Sequence, residues 1–188
     1  MRSVELFTGA GGLALGIEKA GFHHDTVVER NSNCCQTIRE NQRKGYPLLE
    51  GWRLYQGDVR RFDYSEIEGE VDLLAGGPPC QPFSLGGKHG GQADSRNMFP
   101  QAVREIRPKA FVFENVKGLL RKGLANYYSY IIHHLRFPNL KANGDEEWTD
   151  HLSRLENLAT GGSRKGPRYN VIYRVLNAAD YGVPQHRW

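Results

Sequence analysis

At 188 residues with 39% hydrophobic side chains, the chain can bury one substantial core, and its length predicts a single domain. A net charge of +4 permits a polyanionic partner without requiring one. Three cysteines, Cys34, Cys35 and Cys80, provide neither a disulfide framework nor zinc-ligand spacing. No apolar run has membrane-spanning length and no basic-then-apolar leader precedes the first strand, so the expectation is a cytoplasmic protein without membrane or metal.

In chain order, strand and helix signals alternate. Val4-Glu5-Leu6-Phe7 predicts a short strand, Leu13 to Ala20 a helix stopped by Gly21, and Thr26-Val27-Val28-Glu29 a second strand. Asn31 is placed to cap a helix running to about Asn41. A third strand is expected before Gly57-Asp58-Val59, and Val71-Asp72-Leu73-Leu74-Ala75 predicts another, ended by Gly76-Gly77. Met98 to Ile106 reads as a helix halted before Pro108, and Ala110-Phe111-Val112-Phe113 as a buried strand. Tyr127 to Leu135 is helical, and Val171 to Leu176 predicts one more strand. Such alternation points to a parallel sheet covered by helices on both faces. Residues 138–168 interrupt it: Trp148, Leu152, Leu155 and Leu158 recur at helical spacing, best read as local packing, ahead of a basic loop from Gly161 to Arg168.

The chemistry-bearing residues gather at predicted strand ends, where an open α/β sheet holds its ligands. Phe7-Thr8-Gly9-Ala10-Gly11-Gly12-Leu13-Ala14 is a glycine-rich turn entering a helix, allowing close approach of a ligand to the backbone. Glu29 ends the second strand, where a carboxylate can accept ribose hydroxyls, and Asp58 follows the third, where it can accept from an adenine amino group. Together they favour an adenosine-bearing cofactor.

Cys80 lies in Gly76-Gly77-Pro78-Pro79-Cys80-Gln81-Pro82-Phe83-Ser84, on a backbone that three prolines stiffen. That predicts a presented thiol, reactive as its thiolate. Glu114, after the apolar run of Phe111 to Phe113, is expected to be partly desolvated and able to donate a proton to a ring nitrogen.

These blocks, with Asp94-Ser95-Arg96, Glu114-Asn115-Val116 and Tyr181-Gly182-Val183-Pro184-Gln185-His186-Arg187, resemble in sequence and order the cytosine-5 DNA methyltransferase family. The resemblance covers nearly the whole chain except residues 138–168, and its Pro-Pro-Cys-Gln-Pro-Phe-Ser block is highly specific. It implies a Rossmann-like S-adenosylmethionine-dependent methyltransferase fold in a prokaryotic modification enzyme. Catalysis would rest on Cys80, Glu114, Asn115 and Arg187. Cofactor binding would rest on Phe7, Gly9, Ala10, Gly11, Gly12, Glu29, Arg30, Asp58, Val59, Pro79 and Phe99. The resemblance further implies that Ser84, Lys88 and His89 would belong to a loop, Ser84 to Asn97, closing over double-stranded DNA.

The resemblance departs at the C-terminus. The family pattern continues beyond Trp188 to a second arginine, an antiparallel strand, a target-recognition domain and a final helix. The expectation is therefore an incomplete catalytic domain over residues 1–188 that needs a second polypeptide, as a split subunit or a truncated enzyme. Two other readings stay open: a cytosine-5 transfer-RNA methyltransferase sharing these motifs, and a non-catalytic cofactor- or DNA-binding remnant. A nicotinamide oxidoreductase is disfavoured, because no hydride-transfer site accompanies the glycine-rich turn.

Overall fold

A computed structural model describes residues 1–67, 69–78, 98–161 and 168–187. They fall into two compact units, one formed by residues up to 78 together with 98–114, the other by residues from 115 onward.

The first unit is built on five strands: β1 (Arg2–Leu6), β2 (His23–Glu29), β3 (Arg53–Gln56), β4 (Leu73–Gly76) and β5 (Ala110–Phe113). All neighbours are parallel and the order is β3-β2-β1-β4-β5, so the chain reverses its direction of winding between β1 and β4. Helices α1 (Gly12–Lys19), α2 (Ser32–Arg43) and α3 (Met98–Ile106) lie in the β1–β2, β2–β3 and β4–β5 connections, and short 3-10 turns lie in the β3–β4 connection. β1 and β4 are buried almost throughout, as befits central strands covered on both faces. Ala14, Val27, Ile38, Leu49 and Trp52 form one buried cluster, while Ile17, Leu73 and Ala75 form another. Asn31 caps α2, its side-chain oxygen accepting the backbone N–H groups of Asn33 at 2.9 Å and Cys34 at 3.1 Å.

The second unit contains α4 (Ala125–Arg136) and α5 (Trp148–Gly161). Their apolar stripes meet as the sequence spacing predicts: Leu152 and Leu155 are buried with Tyr130 and Phe137, and Trp148 and Leu158 pack against them. Fully buried His151 locks the pair. Its Nδ1 accepts from the Tyr130 hydroxyl at 3.0 Å, and its Nε2–H donates to the Leu140 carbonyl at 2.9 Å. Burial holds His151 below the ordinary imidazole range, so the folded state favours the neutral ring and the unfolded chain takes up the proton more readily. This stability is fully present above the unfolded pKa of about 6.5 and is lost as pH falls below it. Amide protection factors in α4 and α5, taken against the intrinsic exchange rate at each pH, are expected to fall from about pH 7 to about pH 5, and His151→Asn should flatten that dependence.

Two expectations fail. Residues 171–176 form no ladder among the described residues, and Ile172, Tyr173 and Leu176 are exposed. The composition is that of a strand, but a strand requires a hydrogen-bonding neighbour. β5 is an edge strand rather than a buried one, and Val112 is 48% exposed.

Candidate active site

Parallel register brings the strand ends level. Leu6 pairs with both Val28 and Gly76, Glu29 pairs with Gln56, and Gly76 pairs with Phe113. Phe7, Glu29, Asp58, Gly77 and Glu114 therefore lie along one carboxyl edge, around the reversal between β1 and β4. That is where ligands bind in this architecture.

At the edge the chain turns tightly into α1. Phe7 has φ +58°, Gly9 +59° and Gly11 +92°. Positive φ is free for glycine but strained for phenylalanine, and strain of this kind is stored at ligand sites. The Thr8 N–H donates to the Val28 carbonyl at 3.2 Å and the Gly11 N–H to the Thr8 carbonyl at 3.0 Å, fixing the turn. Around built Cβ positions on Gly9 and Gly12 no atom of the described residues beyond the adjoining chain lies within 4 Å, so the turn leaves space into which a ligand can come close. Ala10 is exposed beside it.

Glu29 is held at the edge by two backbone donors, Gly9 N–H to one carboxylate oxygen and Asn31 N–H to the other, each at 2.7 Å. Both oxygens keep a further lone pair for incoming hydroxyls. Asp58 caps the turn Val59–Arg61, accepting the Arg60 N–H at 3.0 Å. The Arg60 guanidinium bridges both Asp58 oxygens, and Arg30 lies 3.8 Å away. Hydrogen bonding from Arg60 holds the Asp58 carboxyl well below the usual carboxylate range, so it is an acceptor at any working pH. Val59 is buried and anchors this turn.

The Phe7 ring lies 5.8 Å from that of Phe99, and Phe99 packs in turn on Phe113. Two carboxylates, an aromatic wall and an open glycine turn suit a nucleoside: acids accept ribose hydroxyls and the exocyclic amino group, while the ring offers a face to the base. Among the described residues no cluster suits a metal ion.

Glu114 is exposed, contrary to the expected desolvation, because β5 lies at the sheet's edge. Its carboxylate sits over Gly77, where a built Cβ would be 3.4 Å from Oε2. Pro79, Cys80, Ser84, Lys88 and His89 lie outside the described residues.

In the second unit, the Asn115 side chain accepts from the Val116 N–H at 2.8 Å, stiffening its turn. Arg187 is exposed, and its backbone is fastened by buried Asn177: the Arg187 N–H donates to Asn177 Oδ1 at 3.1 Å and the Ala178 N–H to the Arg187 carbonyl at 2.8 Å. Asn177 also meets His186 Nδ1 at 3.2 Å. The sequence reading missed Asn177, whose signal is an asparagine cap ahead of Ala178-Ala179-Asp180. It also missed Arg60, whose role rests on a turn formed two residues from Asp58.

A doubly wound parallel sheet with a glycine-rich turn and two carboxylates at its reversal is the architecture of Rossmann-like S-adenosylmethionine-dependent methyltransferases. A putative DNA modification methyltransferase encoded within an Escherichia coli prophage superposes on all of this chain and 44% of its own, with a TM-score of 0.62 and 25% identity. The family model described as C-5 cytosine-specific DNA methylase matches residues 1–142, and the chain belongs to that family. The Neisseria gonorrhoeae type II methyltransferase M.NgoMIV is 38% identical over 98% of this chain and 48% of its own length. The Picosynechococcus type II methyltransferase M.AquIA is 37% identical over 98% of this chain and 67% of its own. The chain thus spans about half the length of the first of these relatives and two thirds of the second.

Proposed function

We propose that this chain is the catalytic portion of a type II DNA modification methyltransferase of a prokaryotic cytoplasm, methylating carbon 5 of cytosine in double-stranded DNA. Family membership supports the reaction class. The observation that carries it to this site is the convergence of Phe7, Glu29, Asp58 and Glu114 on one sheet edge, immediately beyond aligned strand ends. No helix among the described residues is long and apolar enough to cross a membrane.

Phe7, Gly9, Ala10, Gly11, Gly12, Glu29, Arg30, Asp58, Val59, Pro79 and Phe99 would hold S-adenosylmethionine, with Glu29 on the ribose, Asp58 on the adenine amino group and Phe7 against its face. The cofactor, when bound, supplies an electrophilic methyl group. The target cytosine is flipped from the duplex, since its ring is otherwise covered by stacking. Cys80 thiolate adds to ring carbon 6, which breaks aromaticity and makes carbon 5 nucleophilic. Glu114 holds ring nitrogen 3 and Arg187 the base, stabilising the charge that develops, while Asn115 orients the Glu114 turn. Carbon 5 takes the methyl group, with S-adenosylhomocysteine as the other product; loss of the carbon-5 proton to solvent base and expulsion of the Cys80 thiolate then restore the ring. Ser84, Lys88 and His89 meet the phosphate backbone.

Completion by further polypeptide is part of the proposal. Edge strand β5 and the exposed segment 172–176 each present backbone groups suited to an added strand. Methyl incorporation from labelled cofactor tests both points. With a polypeptide carrying the continuing strand and recognition domain, the chain is expected to label cytosine carbon 5 at one sequence in duplex DNA. Labelling of transfer RNA instead overturns the DNA reading. Site-specific turnover by the 188-residue chain alone overturns the need for a complement.

A further inference from the structure

Beneath the glycine-rich turn lies a buried polar cluster that the proposed chemistry leaves unused. Glu18, near the end of α1, has a side chain only 5% exposed. Its Oε1 accepts the indole N–H of Trp52 at 2.8 Å and the backbone N–H of His24 at 2.7 Å, and its Oε2 lies 3.3 Å from His23 Nδ1. A buried carboxylate is stable only with such partners. Glu18 therefore fixes the polar end of the indole.

Trp52 is held at its backbone as well, its carbonyl accepting from Gln42 Nε2 at 2.9 Å. Its ring lies 5.3 Å from that of His24, which is itself held between Ser3 at 3.1 Å and Glu5 at 3.3 Å. The far edge of the indole runs under Gly11, where a built Cβ would be 3.3 Å from Cζ3 and 3.6 Å from Cη2. The turn thus rests on two supports: Glu29 ties Gly9 from the ligand side, and Trp52 carries Gly11 from below.

A turn with positive φ at Phe7, Gly9 and Gly11 keeps that shape only while its surroundings impose it. Removing the indole N–H leaves a buried acceptor short of a partner, and shrinking the ring opens space directly below Gly11. We infer that the Glu18–Trp52 pair sets the position of the glycine-rich turn, and through it the affinity for cofactor, without touching the cofactor. Trp52 and Glu18 are positioning residues. This rests on the reading of the turn as the S-adenosylmethionine site.

The test is calorimetric titration with S-adenosylmethionine of the chain joined to the polypeptide that completes it, paired with thermal unfolding of the same complex. Trp52→Phe and Glu18→Ala are each expected to raise Kd about tenfold. Glu18→Gln keeps an oxygen acceptor for both the indole and the His24 N–H, and should stay within about twofold of the parent chain. Leu49→Ala, in the same core cluster but away from Gly11, supplies the control for stability alone: it should lower Tm with Kd unchanged. Glu29→Ala marks the loss expected for a group that touches the ligand. Should Trp52→Phe fail to fold, the two Glu18 variants decide. Parent-like Kd in Trp52→Phe or Glu18→Ala, with Tm lowered as in Leu49→Ala, overturns the inference alone. A parent chain with no affinity for S-adenosylmethionine overturns the cofactor reading, and the inference falls with it.

Discussion

Cys80→Ser is expected to lower methyl transfer by at least about a thousandfold while leaving cofactor affinity within about twofold. A serine hydroxyl is almost wholly protonated at neutral pH and is a far poorer nucleophile than a thiolate, so addition to ring carbon 6 becomes limiting. DNA carrying 5-fluorocytosine at the target gives the direct readout. Fluorine on carbon 5 cannot depart as a proton does, so once the methyl group has been accepted the expulsion of Cys80 is blocked. The parent chain, complemented, should then remain attached to DNA in denaturant, and Cys80→Ser should not. Equal trapping by both proteins would remove Cys80 from the chemistry, whatever the fate of the cofactor pocket. The pairing matters because loss of activity alone also follows from misfolding, whereas unchanged cofactor affinity reports an intact sheet edge.

What was legible in the sequence was local. The cap at Asn31 and the glycine-rich entry to α1 are set by residues a few positions apart, and the structure has both. The stripe of Trp148, Leu152, Leu155 and Leu158 needed only helical periodicity, and it packs against α4. Phe7 was read as the last residue of β1, but β1 ends at Leu6 and Phe7 turns through positive φ. No propensity signals that, since phenylalanine is disfavoured there and the turn imposes it. Residues 171–176 have a strand's composition but form no ladder among the described residues, because pairing depends on residues distant in sequence. Glu114 was expected to be desolvated from three apolar predecessors, and its exposure follows instead from the position of β5 in the sheet order. The Glu18–Trp52 contact spans 34 residues between an acid on a helix and a tryptophan before a strand, and no spacing rule links them.

Gly76 shows how such long-range packing constrains a residue whose sequence signal pointed elsewhere. The doublet Gly76-Gly77 reads as a strand end that lets a ligand come close. Yet the tightest demand on Gly76 is from the sheet: a built Cβ would lie 2.3 Å from the Leu6 carbonyl oxygen and 2.8 Å from Phe99 Cζ. Gly76 pairs with Leu6 on one side and Phe113 on the other, so the carbonyl cannot withdraw without breaking the β1–β4 ladder. Phe99 is 3% exposed and wedged between Phe7 and Phe113, so it has little room to yield. Gly76→Ala should therefore cost about 3 kcal/mol, the top of the usual range for overpacking, because the backbone it meets is fixed. Gly16→Ala is the counterpart of opposite sign. Gly16 lies within α1, exposed, with nothing within 4 Å of a built Cβ, and the exchange should stabilise by about 0.5–1 kcal/mol through helix propensity. Urea unfolding of the two variants reads both effects on one scale. Because the strain in Gly76→Ala bears directly on Phe99 and Leu6, one residue from Phe7, cofactor affinity should fall with stability, while Gly16→Ala should leave it unchanged. A Gly76→Ala chain as stable as the parent would mean that β1 and β4 are not paired in the register described.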